Sequence, residues 1–116
     1  MAIEITDWDE LDAMRDDLTE DYVLMNDLDS GTSGYSTVAG PSANGGAGWI
    51  PVGDGSGGFT GTFDGQGYTI SDLYINRTVI YTGLFGRTGT STISNVGIVD
   101  CDITSTSDHV GALVGA

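Results

Sequence analysis

Residues 59–75 read Phe-Thr-Gly-Thr-Phe-Asp-Gly-Gln-Gly-Tyr-Thr-Ile-Ser-Asp-Leu-Tyr-Ile, and the tetrapeptide Gly83-Leu84-Phe85-Gly86 follows them. Much of this pattern occurs again further along the chain. Segment 69–75 returns at 92–98 as Thr-Ile-Ser-Asn-Val-Gly-Ile, and the tetrapeptide at 83–86 returns at 112–115 as Ala112-Leu113-Val114-Gly115. A repeating unit of roughly 20 to 30 residues is typical of stacked, solenoidal proteins.

The composition of the repeats predicts strands rather than helices. Each unit is rich in Thr, Ser, Ile, Val and Gly, and its apolar and polar residues alternate. Turn-forming steps such as Asp64-Gly65 separate the apolar segments. We therefore expect coils of two or three short strands that stack about 4.8 Å apart through parallel hydrogen bonds. The residues expected to point inward are Leu73, Ile75, Leu84, Ile93, Val96, Ile98, Ile103 and Leu113.

Four blocks of sequence occur in the order seen in GLUG-motif proteins, which the chain resembles. They are 22–29 (Tyr-Val-Leu-Met-Asn-Asp-Leu-Asp), 49–53 (Trp-Ile-Pro-Val-Gly), 59–75 and the Gly-Leu-Phe-Gly at 83–86. The resemblance covers most of the chain, and the second copy of the motif departs from it only in beginning with Ala112. It implies a parallel β-helix segment of the kind found in large bacterial and archaeal surface proteins, including adhesins and the non-catalytic regions of secreted peptidases.

The expected fold is all-β: a right-handed parallel β-helix with a short N-terminal capping helix, since parallel crossover connections are right-handed. We expect a single domain over residues 1–116. Within it, residues 1–29 form an N-terminal cap with an amphipathic helix at 7–18, because Thr6 or Asp7 can serve as N-cap and Trp8, Leu11, Met14 and Leu18 follow at helical spacing. Residues 30–58 are a long loop and return, and 59–116 are the GLUG-like coils.

The C-terminal coil is a candidate assembly edge. The chain ends in Val110-Gly111-Ala112-Leu113-Val114-Gly115-Ala116, directly after a repeat motif. An uncovered coil would leave backbone donors and acceptors and apolar side chains facing water, so we expect further chain or another subunit over Val110, Ala112, Leu113 and Val114. The expected partners are copies of the chain or further subunits of a surface or virion assembly, and a host-surface glycan or protein.

The charge indicates an organism that lives in concentrated salt. There are 17 acidic residues against Arg15, Arg77 and Arg87, the formal net charge is -14, and the sequence contains no lysine. Screening by salt suppresses the self-repulsion of such a chain, and hydrated carboxylates keep its surface soluble. The acidic run at 7–21 is expected to be a solvated face, with binding of a basic partner or of cations as the alternative. The sign of the charge disfavours nucleic acid as a partner.

Catalytic chemistry has little support in the sequence. His109 and Cys101 are each the only residue of their type and lie eight apart, which builds neither a nucleophile pair nor a zinc site. Cys101 is expected to be a small inward-facing strand residue. No cofactor is expected, although Ca²⁺ is an open alternative because hard oxygen ligands fall in turns; the candidates are Asn26, Asp27, Asp29, Asp54 and Asp64.

Modification and location depend on export. Asn76-Arg77-Thr78 matches the acceptor pattern for N-glycosylation at Asn76. No signal peptide, lipidation motif or apolar run of membrane-spanning length is present in this sequence, so we expect no membrane insertion. The expected location is an extracellular surface or a virion.

Three classes of function follow. The first is a non-enzymatic structural or adhesive β-helix module on a cell surface or virus particle, as a decoration, turret, fibre or adhesin. The second is a carbohydrate-active β-helix enzyme, because carboxylates are plentiful. The third is an N-terminal fragment of a larger exported protein whose activity lies elsewhere.

Overall fold

Short strands dominate the computed structural model, which describes residues 3–53, 58–77, 81–89, 91–104 and 109–110. The strands are β1 (Ile3–Ile5), β2 (Asp21–Leu24), β3 (Thr62–Asp64), β4 (Thr69–Ser71), β5 (Tyr74–Asn76), β6 (Tyr81–Thr82), β7 (Thr92–Ser94), β8 (Gly97–Val99), β9 (Asp102–Thr104) and β10 (His109–Val110). Two short helices, α1 (Trp8–Asp12) and α2 (Tyr35–Val38), and two 3-10 turns, Ala13–Asp16 and Ala43–Gly46, lie between β1 and β3.

The named strands pair in parallel, and the later strands lie on the earlier ones. One sheet has the order β1-β2-β3-β7, and β4 pairs with β8, β5 with β9 and β6 with β10. The step in sequence between register partners is nearly constant, as in Thr62 with Thr92, Ile70 with Ile98 and Ile75 with Ile103. We call β3–β6 the first layer and β7–β10 the second layer.

The register differs from the one that the repeated sequence indicates. Segment 92–94 resembles 69–71, yet β7 pairs with β3, and it is β8 that pairs with β4. The number of residues that separates register partners is therefore close to the separation of Gly83 and Ala112. The shorter separation of Thr69 and Thr92 is not that of successive layers. The corners account for the small change in step from one pair to the next: four residues (65–68) join β3 to β4, whereas two residues (95–96) join β7 to β8.

Alternation along β3, β4 and β5 sends the central side chain of each strand into the core. In β3, Phe63 is buried between exposed Thr62 and Asp64. Full burial of such a side chain is worth about 1.5 to 3 kcal/mol. Among the residues expected to point inward, Leu73, Ile75 and Leu84 are fully buried, which confirms their predicted positions. Ile93, Val96, Ile98 and Ile103 are partly buried and pack against the same core, and Leu113 lies outside the described residues.

The N-terminal helix is shorter than the predicted span of 7–18. It begins after Asp7, whose side chain accepts from the Glu10 amide, and becomes a 3-10 turn that ends at Asp16. Asp17 has extended backbone, and its carboxylate accepts hydrogen bonds from the amide and hydroxyl of Thr19. This local turn competes with helical hydrogen bonding and ends the helix. Trp8, Leu11 and Met14 are fully buried, as a core-packing stripe requires.

The segment predicted as a long loop, 30–58, is partly folded in its described portion. It contains α2 and the 3-10 turn at Ala43–Gly46, and Ala39, Ala43, Trp49 and Val52 are buried. Small side chains such as alanine enter a core without a strong sequence signal, and the many glycines conceal the helical turns. We call segment 30–58 the insertion; its described portion packs against the body of the protein.

Cys101 is exposed, contrary to the predicted inward-facing strand position. It lies between β8 and β9, directly after Asp100, whose φ of 51° places that residue in the left-handed region. Asp72, one layer below, also has a positive φ, of 65°. The two aspartates form equivalent corners in successive layers. Cys101 has the position that fully buried Leu73 has one layer below, and within the described ranges no further strand pairs with β8 or β9 to cover it.

Candidate functional site

The strands of the second layer form an open edge in the described part of the chain. β7, β8 and β9 are each the last strand of their sheet. Their central residues Ile93, Ile98 and Ile103 are only partly buried, whereas the register partners Phe63, Ile70 and Ile75 have no exposed surface. We call these three strands, with their three isoleucines, the second-layer edge. A sheet edge with apolar side chains is a surface suited to pairing.

Of the predicted assembly edge, the structure describes the backbone of Val110. Val110 is in β10 and pairs with Thr82 of β6. Ala112, Leu113 and Val114 lie outside the described residues. The sequence predicts Ile93, Ile98 and Ile103 as core positions, and sequence reasoning missed that they belong to an edge. The signal that would find them is the isoleucine at the centre of each of β7, β8 and β9.

The acidic run near the N-terminus serves partly as a helix cap. The Glu10 carboxylate accepts from the amide and hydroxyl of Thr6, and these hydrogen bonds hold the pKa of Glu10 below its ordinary value. Hydrogen bonds from the hydroxyl and amide of Thr19 likewise lower the pKa of Asp17. Carboxylates at a helix N-terminus also interact favourably with its dipole. Part of the acidic run thus has a structural use.

Other carboxylates connect segments that are distant in the sequence. Asp27 accepts from the Thr69 amide at 2.8 Å, Asp72 accepts from the Ser30 amide at 3.0 Å, and Asp21 accepts from the Thr62 hydroxyl at 2.8 Å. Each of these bonds ties the N-terminal region to the first layer.

The candidate calcium ligands are not gathered into a site by the described residues. Asp29 caps its own turn by accepting from the Gly31 amide, and Asp64 does the same for the Gln66 amide. In the described ranges no group of three or more His, Cys, Asp or Glu side chains is placed to hold a metal ion. Asp54 lies outside those ranges.

Two arginines hold three consecutive carbonyls of the insertion. Arg77 donates from Nε to the Trp49 oxygen at 3.0 Å and from Nη2 to the Gly48 oxygen at 3.1 Å. Arg15 donates from Nη2 to the Ile50 oxygen at 3.0 Å, and its guanidinium carbon lies 5.4 Å from the centroid of the Trp49 ring. Arg15 also forms an ion pair with Asp12. We call this set the carbonyl clamp; sequence reasoning missed it because nothing in the sequence marks main-chain carbonyls as ligands.

Aromatic side chains complete the packing of the insertion. Trp8 lies 6.0 Å from Trp49 and 5.8 Å from Tyr35, measured between ring centroids. The Tyr35 hydroxyl donates to the Asp72 carbonyl at 2.7 Å, and burial followed by the charge of Asp72 raises the pKa of Tyr35. Tyr35 thus ties α2 to the first layer.

The remaining predicted residues are spread over the surface or the second layer. Asn76 is exposed at the end of β5, and its backbone N–H donates to the Ala47 carbonyl. His109 lies in β10 and Cys101 lies in the corner after β8. Of the described helices, none is long and apolar enough to cross a membrane.

Comparison with known proteins finds relatives of the chain within longer proteins. Halomucin of the halophilic archaeon Haloquadratum walsbyi is 39% identical over 99 residues, which are 84% of this chain and 1% of halomucin. A putative Gly-rich membrane protein of Evansella cellulosilytica is 37% identical over 110 residues, which are 91% of this chain and 12% of that protein. The chain thus spans a small part of each relative.

No protein-family model matches the sequence, and no solved structure matches it. The similarity therefore connects the chain to parts of two long proteins, one of them from a halophile.

Proposed function

We propose that the chain is a non-enzymatic structural or adhesive module of a surface, adapted to concentrated salt and built as a right-handed parallel β-helix of the GLUG type. The observation that carries the proposal is the 39% identity to a protein of a halophilic archaeon over most of the chain. The second relative is named as a membrane protein, which supports a surface location. The proposed role includes a decoration, turret, fibre or adhesin of a cell or virus particle.

The fold assignment is supported by the strand register. Successive coils of a β-helix have parallel pairs at a nearly constant step in sequence, as from Thr62 to Thr92 and from Ile70 to Ile98. Right-handedness follows from the strong preference of parallel crossover connections.

The adaptation to salt is supported by the charge and by how the basic residues are used. A net charge of -14 on 116 residues repels itself in dilute buffer. No lysine is present, and two of the three arginines bind main-chain carbonyls. Positive charge thus serves partly in the packing of the insertion, and the surface is left strongly negative.

The non-enzymatic part of the proposal is supported by five aspartates whose side chains are used within the fold. An acid and base pair needs two carboxylates that face a shared substrate position. Asp21, Asp27, Asp29, Asp64 and Asp72 instead accept hydrogen bonds from the protein's own amides or hydroxyls.

A salt series tests the proposal. We expect the thermal midpoint, followed by circular dichroism at neutral pH, to rise strongly between dilute buffer and molar NaCl or KCl. The matched variant Glu4→Gln/Asp16→Asn/Asp102→Asn removes three exposed charges without changing side-chain size. Its midpoint should depend less on salt. Equal stability in dilute buffer and molar salt would refute the halophilic adaptation, and cleavage of a polysaccharide that a single Asp→Asn change abolishes would refute the non-enzymatic role.

A further inference from the structure

The main chain of the second-layer edge faces outward at three equivalent places. On its inner side, β7 is bonded through the Thr92 amide and the Ser94 carbonyl, β8 through the Gly97 amide and the Val99 carbonyl, and β9 through the Asp102 amide and the Thr104 carbonyl. The direction of amide and carbonyl alternates along a strand. The amides and carbonyls of Ile93, Ile98 and Ile103 therefore point away from the first layer.

The same three residues also carry the incompletely buried side chains. A strand of the second layer covers each of Phe63, Ile70 and Ile75, and these three side chains have no exposed surface. Ile93, Ile98 and Ile103 have comparable positions one layer up and remain partly exposed. Three isoleucine side chains and three sets of backbone donors and acceptors thus point to one kind of ligand.

We propose that the second-layer edge is a docking surface for a further parallel layer of the same architecture: three strands of about three residues, each with an apolar central side chain, paired in register with β7, β8 and β9. Backbone donors and acceptors in a row select extended polypeptide. The apolar central positions select a strand whose middle residue points inward. This proposal rests on the β-helix assignment made above, and it adds the chemistry of the partner.

A second copy of this chain does not present such a layer. On the side opposite the second-layer edge, β4 is already bridged by Leu28 and β5 by Gly48. In the described ranges β1 ends the four-stranded sheet on that side, and α1 packs beside it. Two copies would also each bring a net charge of -14. The geometry fits a layer that continues the same register. Head-to-tail stacking of two copies would pair only one of the three strands of the second-layer edge.

The test extends the chain by one layer. A copy of residues 88–104 is added directly after Ala116, so that the copy of Ile98 stands at position 127 and continues the step from Ile70 to Ile98 to within a single residue. The control extension is identical except that its own three isoleucines are changed, Ile→Ser. Both proteins and the unextended chain are compared in molar salt under reducing conditions, with circular dichroism as the check of folding and amide hydrogen exchange as the readout.

We expect the amides of Ile93, Ile98 and Ile103 to exchange roughly tenfold more slowly in the extended protein than in the control, because each gains a hydrogen-bond acceptor in the added layer. Equal exchange in both extended proteins would overturn the proposal. Protection of these amides in the unextended chain that rises with protein concentration, together with dimers in sedimentation, would also overturn it and identify a second copy as the occupant. The salt series tests the proposed function and does not depend on the added layer. Either proposal can therefore fail while the other holds.

Discussion

Arg77 binds the Trp49 carbonyl at 3.0 Å and thereby joins the end of β5 to the end of an insertion that precedes it in the chain. The same guanidinium reaches the Gly48 carbonyl, and Gly48 forms an antiparallel bridge with Ile75 of β5. A planar guanidinium can donate to two adjacent carbonyls at once, which an ammonium cannot do with the same geometry.

Arg77→Lys should therefore lower the free energy of unfolding by about 1 to 3 kcal/mol although the charge is retained, because buried carbonyls lose donors. Arg77→Gln removes the charge and should cost at least as much. Urea unfolding in molar salt measures both. An Arg77→Lys protein with an unchanged midpoint would show that charge alone matters at this position.

Gly48 should not tolerate a side chain. Its φ is +77°, and a Cβ atom built there would lie 2.1 Å from the Tyr74 carbonyl oxygen. We expect Gly48→Ala to unfold the insertion or to cost well over the roughly 1 to 2 kcal/mol of a left-handed alanine. Gly67→Ala is the matched control, because Gly67 has a φ of +83° and no atom within 4 Å of its Cβ position. Similar thermal midpoints for the two variants would contradict the close approach of Gly48 to β5.

Asp72 and Asp100 are like-charged residues at equivalent corners of successive layers, where their charges are expected to repel. Asp100→Asn keeps a residue that tolerates positive φ and removes the repulsion, so it should stabilise the protein by about 0.2 to 1 kcal/mol in dilute buffer. The gain should shrink in molar salt. Asp102→Asn is the control, since its register partner is Tyr74. Denaturant unfolding at two salt concentrations distinguishes them, and an equal gain from both variants would argue against a specific pair.

Ionisation of Tyr22 should lower the free energy of unfolding at high pH. Burial, followed by the charges of Asp17, Glu20 and Asp16, raises the pKa of Tyr22, and its hydroxyl donates to the Asp17 carbonyl at 2.7 Å. A group whose pKa is raised on folding stabilises the fold below its unfolded value, ordinarily about 10, and this contribution is lost as the pH rises through the folded value.

Tyr22→Phe should cost about 1 kcal/mol at neutral pH and should reduce the alkaline loss. Tyr35, whose pKa is raised in the same direction, accounts for part of what remains, so Tyr35→Phe provides the comparison. The measurements are thermal midpoints from neutral pH to above the ordinary tyrosine pKa, with tyrosinate absorbance as the titration readout. An alkaline loss that Tyr22→Phe leaves unchanged would exclude this group as its source.

Ile70→Ala and Ile98→Ala compare the two layers directly, because the residues are register partners. Ile70 is fully buried and its truncation should cost about 2 to 5 kcal/mol. Ile98 is partly buried, so its truncation should cost clearly less in the unextended chain. In the protein with the added layer, the cost at Ile98 should rise toward that at Ile70. Equal costs in the unextended chain would mean that the second layer is already covered.

The sequence predicts the strand-rich character and many buried positions but not the register. Leu73, Ile75 and Leu84 could be assigned inward because alternation and turn residues mark them. The match between 69–71 and 92–94 misleads because three residues of Thr-Ile-Ser type suit any strand of this architecture. The pairing of β7 with β3 joins segments that are distant in the sequence, and such a contact has no local signal.

The folded parts of the insertion escape sequence reasoning for a different reason. Ala39 and Ala43 are buried, yet alanine is neutral in a pattern search. The contacts that hold the insertion are made to main-chain atoms, as in the Arg15 bond to Ile50 and the Tyr35 bond to Asp72. Backbone acceptors exist at every position, so a sequence cannot show which of them a side chain will use.

The unequal corners, four residues after β3 and two after β7, bear on how such a chain can change over evolutionary time. Strands hold the vertical spacing, so a residue gained or lost at a corner alters the outline of one layer and leaves the pairing above and below intact. Corner length and strand pairing can therefore vary independently. Surface loops of almost any size can be introduced at a corner, and searches that require a fixed period will overlook relatives that have accepted them.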